Sequence, residues 1–140
     1  MIYPEVKIMQ ALVKDEQLQN TMKSMRTEDV DDPMVFTSNI PEIYQVNTYA
    51  PMIRLNYIGS SYRGSDDTDM LYYPRLLVSF WAKTLADGQK LQPMIDKLIQ
   101  SLNYHLYDDV HSLDSDTSDT ADNQLIMFRL FYRGIEFNEV

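Results

Sequence analysis

The chain contains no cysteine, which removes disulfides, thiolate metal sites and cysteine nucleophiles from consideration. Its four glycines are scattered, so no glycine-rich phosphate loop can be built from them. No apolar run approaches the ~18 residues of a membrane-spanning helix, and the opening MIYPEVKIMQ lacks the basic region and apolar core of a signal peptide. The chain reads as cytosolic as made. Cations are scarce too: 12 lysines and arginines stand against 21 acids, a formal charge of −9. That balance argues against a broad nucleic-acid-binding surface, which depends on cations neutralising phosphates. It suits a soluble surface, one that DNA passes without sticking, or an imitation of DNA.

What is present is the composition of a folded domain. With 140 residues, 44% of them hydrophobic and 24% charged, the chain has room for one core. No internal repeat or boundary divides residues 1–140, so a single domain is expected.

The most informative stretch is 75–103. Leu76, Val78, Phe80 and Ala82 alternate with Arg75, Leu77, Ser79, Trp81 and Lys83, the period of a strand. Leu91, Met94, Ile95, Leu98, Ile99 and Leu102 then recur at spacings of three and four, which predicts a helix over about 89–103. Pro93 places the regular helix start around Gln89 to Gln92.

The segment 2–25 predicts one long helix or two short ones, with Val6, Met9, Leu12 and Val13 on one face and Leu18, Met22 and Met25 resuming the stripe. TEDVDDP over 27–33 reads as an acidic linker, followed by a short β-rich run over 34–38. The segment between Ile40-Pro41 and Ala50-Pro51 is strand or irregular. Strands are expected over 52–58 and 124–133, and a short one over 104–107. The stretches 59–70 and 108–123 are polar and acidic and predict two long exposed loops. The sum is an α+β fold: a small mixed or antiparallel sheet with helices packed on one face.

Candidate sites are few. Asp114, Asp116, Asp119 and Asp122, or Asp66, Asp67 and Asp69, offer oxygens for calcium. The first set fails the EF-hand pattern, with Asp119 where glycine is required and Leu125 where the bidentate glutamate belongs. His105 and His111 flank Asp108-Asp109 in an order that matches no metal motif, and surface histidines are the default. No serine sits in a G-x-S-x-G elbow, and no carboxylate stands in an apolar strand that would raise its pKa. No catalytic residue, metal or cofactor is therefore assigned, and the chain reads as a non-enzyme.

Two surfaces point to protein contacts instead. Leu77, Trp81, Met127 and Phe131 lie on the second face of their strands and form a candidate self-assembly surface, unless the N-terminal helix covers it. Tyr57, Tyr62, Tyr72 and Tyr73 gather around the 59–70 loop with Arg54, Arg63 and Arg75 near in sequence. Tyr57, Tyr62, Arg63, Asp66, Asp67, Asp69 and Tyr72 form the candidate partner-contact loop.

The order of elements, with the strand Val78-Ser79-Phe80-Trp81-Ala82-Lys83 leading through a polar turn into a helix that ends in the leucine-rich turn Ile99 to Leu102, resembles the tail terminator, or tail-completion, proteins of long-tailed bacteriophages. The resemblance spans most of the chain on a short, hydrophobic motif. It implies a hexameric ring that caps the tail tube, ends its polymerisation and presents a head–tail joining surface in the virion. The implied partners are further copies of itself, the major tail tube protein and a head-completion or connector protein. DNA would pass through without tight binding, and no membrane is involved. Another head–tail connector component, or an acidic DNA mimic that blocks a nuclease or DNA-binding protein, are the alternatives.

Overall fold

The computed structural model describes residues 2–62, 71–114 and 124–137. Helix α1 spans Pro4–Lys14, with proline in its first turn and Ile8 and Leu12 buried one turn apart. Ile8 and Leu12 are thus the centre of the buried face, and Ile2 is exposed. Asp15 then leaves the helical region, and its carboxylate accepts the Leu18 N–H at 2.9 Å, capping α2 (Glu16–Met25). Of the two N-terminal readings, the pair of short helices is the observed one.

Strand β1 (Val35–Phe36) runs parallel to β2 (Met52–Tyr62), and the segment between them makes two turns of 3-10 helix over 42–44 and 47–49. Strand β3 (Leu71–Ala82) pairs antiparallel with β2 on one side and with β5 (Leu125–Gly134) on the other. Helix α3 (Leu85–Gln100) connects β3 to β4 (Tyr104–Asp114), which closes the far edge beside β5. The strand order is β1-β2-β3-β5-β4, with β6 (Glu136–Phe137) added to β3. The fold is α+β, a mixed sheet with its helices on one face.

Cross-strand partners share a face, so the register identifies the core side. One rung is Ile53–Phe80–Phe128 and the next is Leu55–Val78–Leu130; all six residues are buried. Leu76, Val78, Phe80 and Ala82 form the inner face of β3, as their alternation predicts, and Leu91, Ile95 and Ile99 of α3 are fully buried over the sheet. Phe80 and Phe128 stack with centroids 4.6 Å apart and planes within 4°. Above them α3 comes so close that a Cβ at Gly88 would lie 2.0 Å from Phe128 Cζ.

Polar bonds fix the helices at the periphery. Lys7 of α1 pairs with Glu136 at 2.9 Å, and the Tyr104 hydroxyl donates to the same carboxylate oxygen at 2.8 Å. The Tyr132 hydroxyl donates to Asp96 of α3 at 2.6 Å. Burial above all, and then these carboxylates, push both phenols above the ordinary tyrosine value.

Several boundaries differ from the sequence-based expectation. Residues 59–62 continue β2, and 108–114 belong to β4 rather than to a loop. Strand β4 is an edge strand, wet on both faces over most of its length, so it carries no apolar alternation to betray it. Helix α3 starts at Leu85, where the Thr84 hydroxyl accepts the Asp87 N–H at 3.1 Å, and Pro93 lies inside it. Pro93 is exposed, which leaves the carbonyl one turn before it open to water. The remaining parts of the two expected loops, 63–70 and 115–123, lie outside the described residues.

Gly88→Ala should destabilise the chain by roughly 1–3 kcal/mol, the range for overpacking a core; denaturant melts of the two forms measure it. Both phenols ionise more readily in the unfolded chain, so their stabilisation is intact below pH of about 10 and falls as pH rises beyond it. Thermal melts from neutral to alkaline pH should show that fall, and it should be shallower in Tyr132→Phe, which at neutral pH loses roughly 1–3 kcal/mol with the bond to Asp96.

Candidate functional site

The other face of the sheet carries no helix among the described residues. Register places Met52, Trp81, Met127 and Ser112 on one of its rungs, Arg54, Ser79, Arg129 and Val110 on the next, and Asn56, Leu77, Phe131 and Asp108 on the one after. Beyond it, Gly59, Arg75, Arg133 and His105 stand side by side. Four of the chain's six arginines thus share one face.

Leu77, Trp81, Met127 and Phe131 are brought to this face together, as their sequence positions predict. They are not equally available. Leu77, Met127 and Phe131 are half-buried, whereas Trp81 is 6% exposed. The Arg54 guanidinium lies 5.1 Å from the Trp81 ring centroid, and the indole N–H donates to Asp114 at 2.6 Å. A shallow hollow of about 240 Å3 remains there between Ile40, Gln45, Arg54, Trp81, Asp114 and Met127. The segment around Ile40, not the N-terminal helix, helps to close this end of the face; α1 packs on the opposite side. A partner approaching Trp81 would meet Arg54 first.

The tyrosine rim is divided. Tyr57 is exposed and its hydroxyl bonds Ser60. Tyr72, by contrast, is 5% exposed and turned to the helix side, which removes it as a contact residue. Tyr73 lies on the arginine face, with the Arg133 guanidinium 5.0 Å from its ring centroid. The Tyr62 side chain, Arg63, Asp66, Asp67 and Asp69 lie outside the described residues, as do Asp116, Asp119 and Asp122.

The histidine pair fails as a chelate for a geometric reason. A bulge between Leu106 and Asp108 inserts one residue into β4, so His105 pairs opposite Arg133 on the arginine face while His111 packs on Phe128 on the helix side, with centroids 5.6 Å apart. Among the described residues no group of histidines and carboxylates is arranged to hold a metal.

The arginine face is the feature that the sequence does not bring together: Arg54 and Arg75 enter it only as neighbours of the tyrosine rim, and Arg129 and Arg133 not at all. Arg75 stands directly opposite Arg133, a like-charge neighbour pair that disfavours folding. Among the described residues no carboxylate ion-pairs with Arg54, Arg75, Arg129 or Arg133. The Arg54 Nε is buried without a hydrogen-bond partner there, and so is the Ser79 hydroxyl on the same rung. The signal lay in the sequence: within their strands Arg129 and Arg133 are four apart, as are Arg75 and Ser79, a spacing that returns to the same face.

A second charged feature lies in the segment that precedes β1. Glu28, Asp29 and Asp31 are exposed and Asp32 is half-buried. Their ribbon is fixed: Thr27 and Glu28 N–H groups donate to the Thr48 carbonyl at 3.2 and 3.0 Å, and Asp32 accepts the Met34 N–H at 2.8 Å. Arg26 anchors its start by donating to the Tyr49 and Pro51 carbonyls, and burial lowers the pKa of this guanidinium although the Asp32 charge opposes that.

The chain matches no protein-family model and no curated protein.

Arg75→Gln should leave stability unchanged or raise it by up to about 1 kcal/mol, because it relieves the repulsion from Arg133. The gain should shrink as salt is added. Denaturant midpoints at low and high ionic strength test this; a marked loss would mean that Arg75 has a favourable partner on the face.

Proposed function

We propose that this chain is a structural assembly protein of the tail-terminator kind, which closes into a ring, caps a phage tail tube and offers the joining surface to the head. The observation that carries the reading is the one-sided packing. Among the described residues three helices lie on one face of a long-stranded sheet, and the other keeps Leu77, Met127 and Phe131 half-buried with no helix over them. Half-buried apolar side chains on a rigid sheet are a contact surface in want of a partner. The element order of the resembled family supports the same reading, and the net charge of −9 suits a ring through which DNA moves without sticking. On this proposal the chain works by shape and contact, as a component of the virion assembled in the host cytoplasm.

Light scattering of the purified chain over a range of concentrations, with negative-stain imaging, provides the test. A closed species of about six subunits is expected, since cyclic symmetry suits a tube cap. Leu77→Glu should give monomers with an unchanged circular-dichroism spectrum. A tight dimer at every concentration would overturn the ring and favour the acidic DNA mimic.

A further inference from the structure

We infer that the arginine rungs of the sheet face receive the acidic ribbon 28–32 of a second copy, so that copies join head to tail through a charge-matched contact. This deepens the ring reading and rests on it.

The face asks for carboxylates. Its two arginine rungs are four residues apart along β3, about 13 Å. Each places cations near one another: Arg54 and Arg129 flank the buried Ser79, and Arg75 adjoins Arg133. The cations are arginine without lysine, and a guanidinium presents the planar fork that matches a carboxylate. The buried, unpartnered Arg54 Nε is a donor waiting for an acceptor. Asp108 and Asp114 share this face and the chain carries −9 overall, which opposes a continuous phosphate backbone more than a ribbon of four carboxylates. An acidic polypeptide therefore fits better than a nucleic acid.

A two-fold contact of the face with itself would set most of its cations against cations, with Asp108 and Asp114 the acids that could meet them. A richer complement lies on the ribbon. Four carboxylates fall within five residues, Glu28 to Asp32, and no lysine or arginine occurs between Arg26 and Arg54. None of the four is in direct ion-pair contact among the described residues, although Arg26 feels the Asp32 charge and Lys83 donates to the neighbouring Thr27 hydroxyl. Because the ribbon is held by the Thr48 carbonyl and by Asp32, little ordering is needed on contact. Two different, complementary patches at separate places make a heterologous contact, the kind that closes rings.

The experiment compares the full chain with a face variant (Arg129→Glu with Arg133→Glu), a ribbon variant (Asp29→Arg with Asp31→Arg) and their equimolar mixture, by light scattering at low and high salt. Wild type should assemble at low salt and lose mass as salt rises. Each variant alone should be monomeric, and the mixture should reassemble, because both alternating contacts are then charge-matched. That recovery also shows that both variants fold. Wild-type assemblies that survive in the face variant would overturn the inference and leave the ring reading standing. Monomeric wild type under every condition would overturn both. Loss in the face variant alone would assign the arginines to another acidic segment. Retardation of a single-stranded oligonucleotide that the face variant abolishes would assign them to nucleic acid.

Discussion

Helix α3 can lie on the sheet only because position 88 has no side chain. The Phe80–Phe128 stack occupies the ground beneath it, and the space a Cβ would need is filled by the tip of the Phe128 ring. From this contact the rest of the arrangement follows. With α3 seated across β3 and β5, Leu91, Ile95 and Ile99 complete the core, and Asp96 comes within reach of Tyr132. Helix α1 packs beside α3 and is tied by Lys7 to the Glu136 carboxylate that Tyr104 also holds. All three helices are committed to one side. The opposite face is then left to whatever its own side chains can arrange.

What they arrange is a separation of charge. In a chain of net −9, four arginines collect on the face turned away from the helices, with Asp108 and Asp114 of β4 at its margin, while four more carboxylates collect on the 28–32 ribbon. Charges of one sign placed together cost folding free energy, so the pattern is the reverse of what stability alone would favour. Edge strand β4 shows a related feature. Eleven residues long and mostly exposed, it carries Asp108, Asp109 and a bulge, which are the means by which an open edge resists indiscriminate strand addition. The molecule discourages pairing at its edge and concentrates its complementary charges on the face and the ribbon.

The parts of this fold that bury an apolar face were legible in the sequence. Strand β3 declares itself through Leu76, Val78, Phe80 and Ala82, and α3 through Leu91, Ile95 and Ile99, because period and burial agree there. What was illegible has a common cause: burial is not what defines it. Strand β4 is wet on both faces beyond Tyr107, so its 108–114 part reads as loop. The start of α3, LADGQK, reads as a turn because its glycine is chosen for closeness to Phe128 rather than for bending. The β4 bulge sends His105 and His111 to opposite faces, which spacing alone could not reveal. The arginine face needed the register of three strands before four residues spread over eighty positions became one surface.

Trp81 shows how far a correct placement can still mislead about chemistry. Its position on the second face follows from alternation, and an indole on a sheet face suggests an apolar contact. In the folded chain the ring lies under Arg54, its N–H is given to Asp114, and almost none of it reaches solvent. The indole therefore acts on its surroundings: it holds a guanidinium over its ring and a carboxylate at its N–H. Placing Arg54 over an aromatic ring restricts its side chain and desolvates part of it. The half-buried Leu77 and Phe131 then lie between arginine rungs, with the indole set beneath one of the cations. An interface of that composition gains its area from the apolar stripe and its selectivity from the charges on either side.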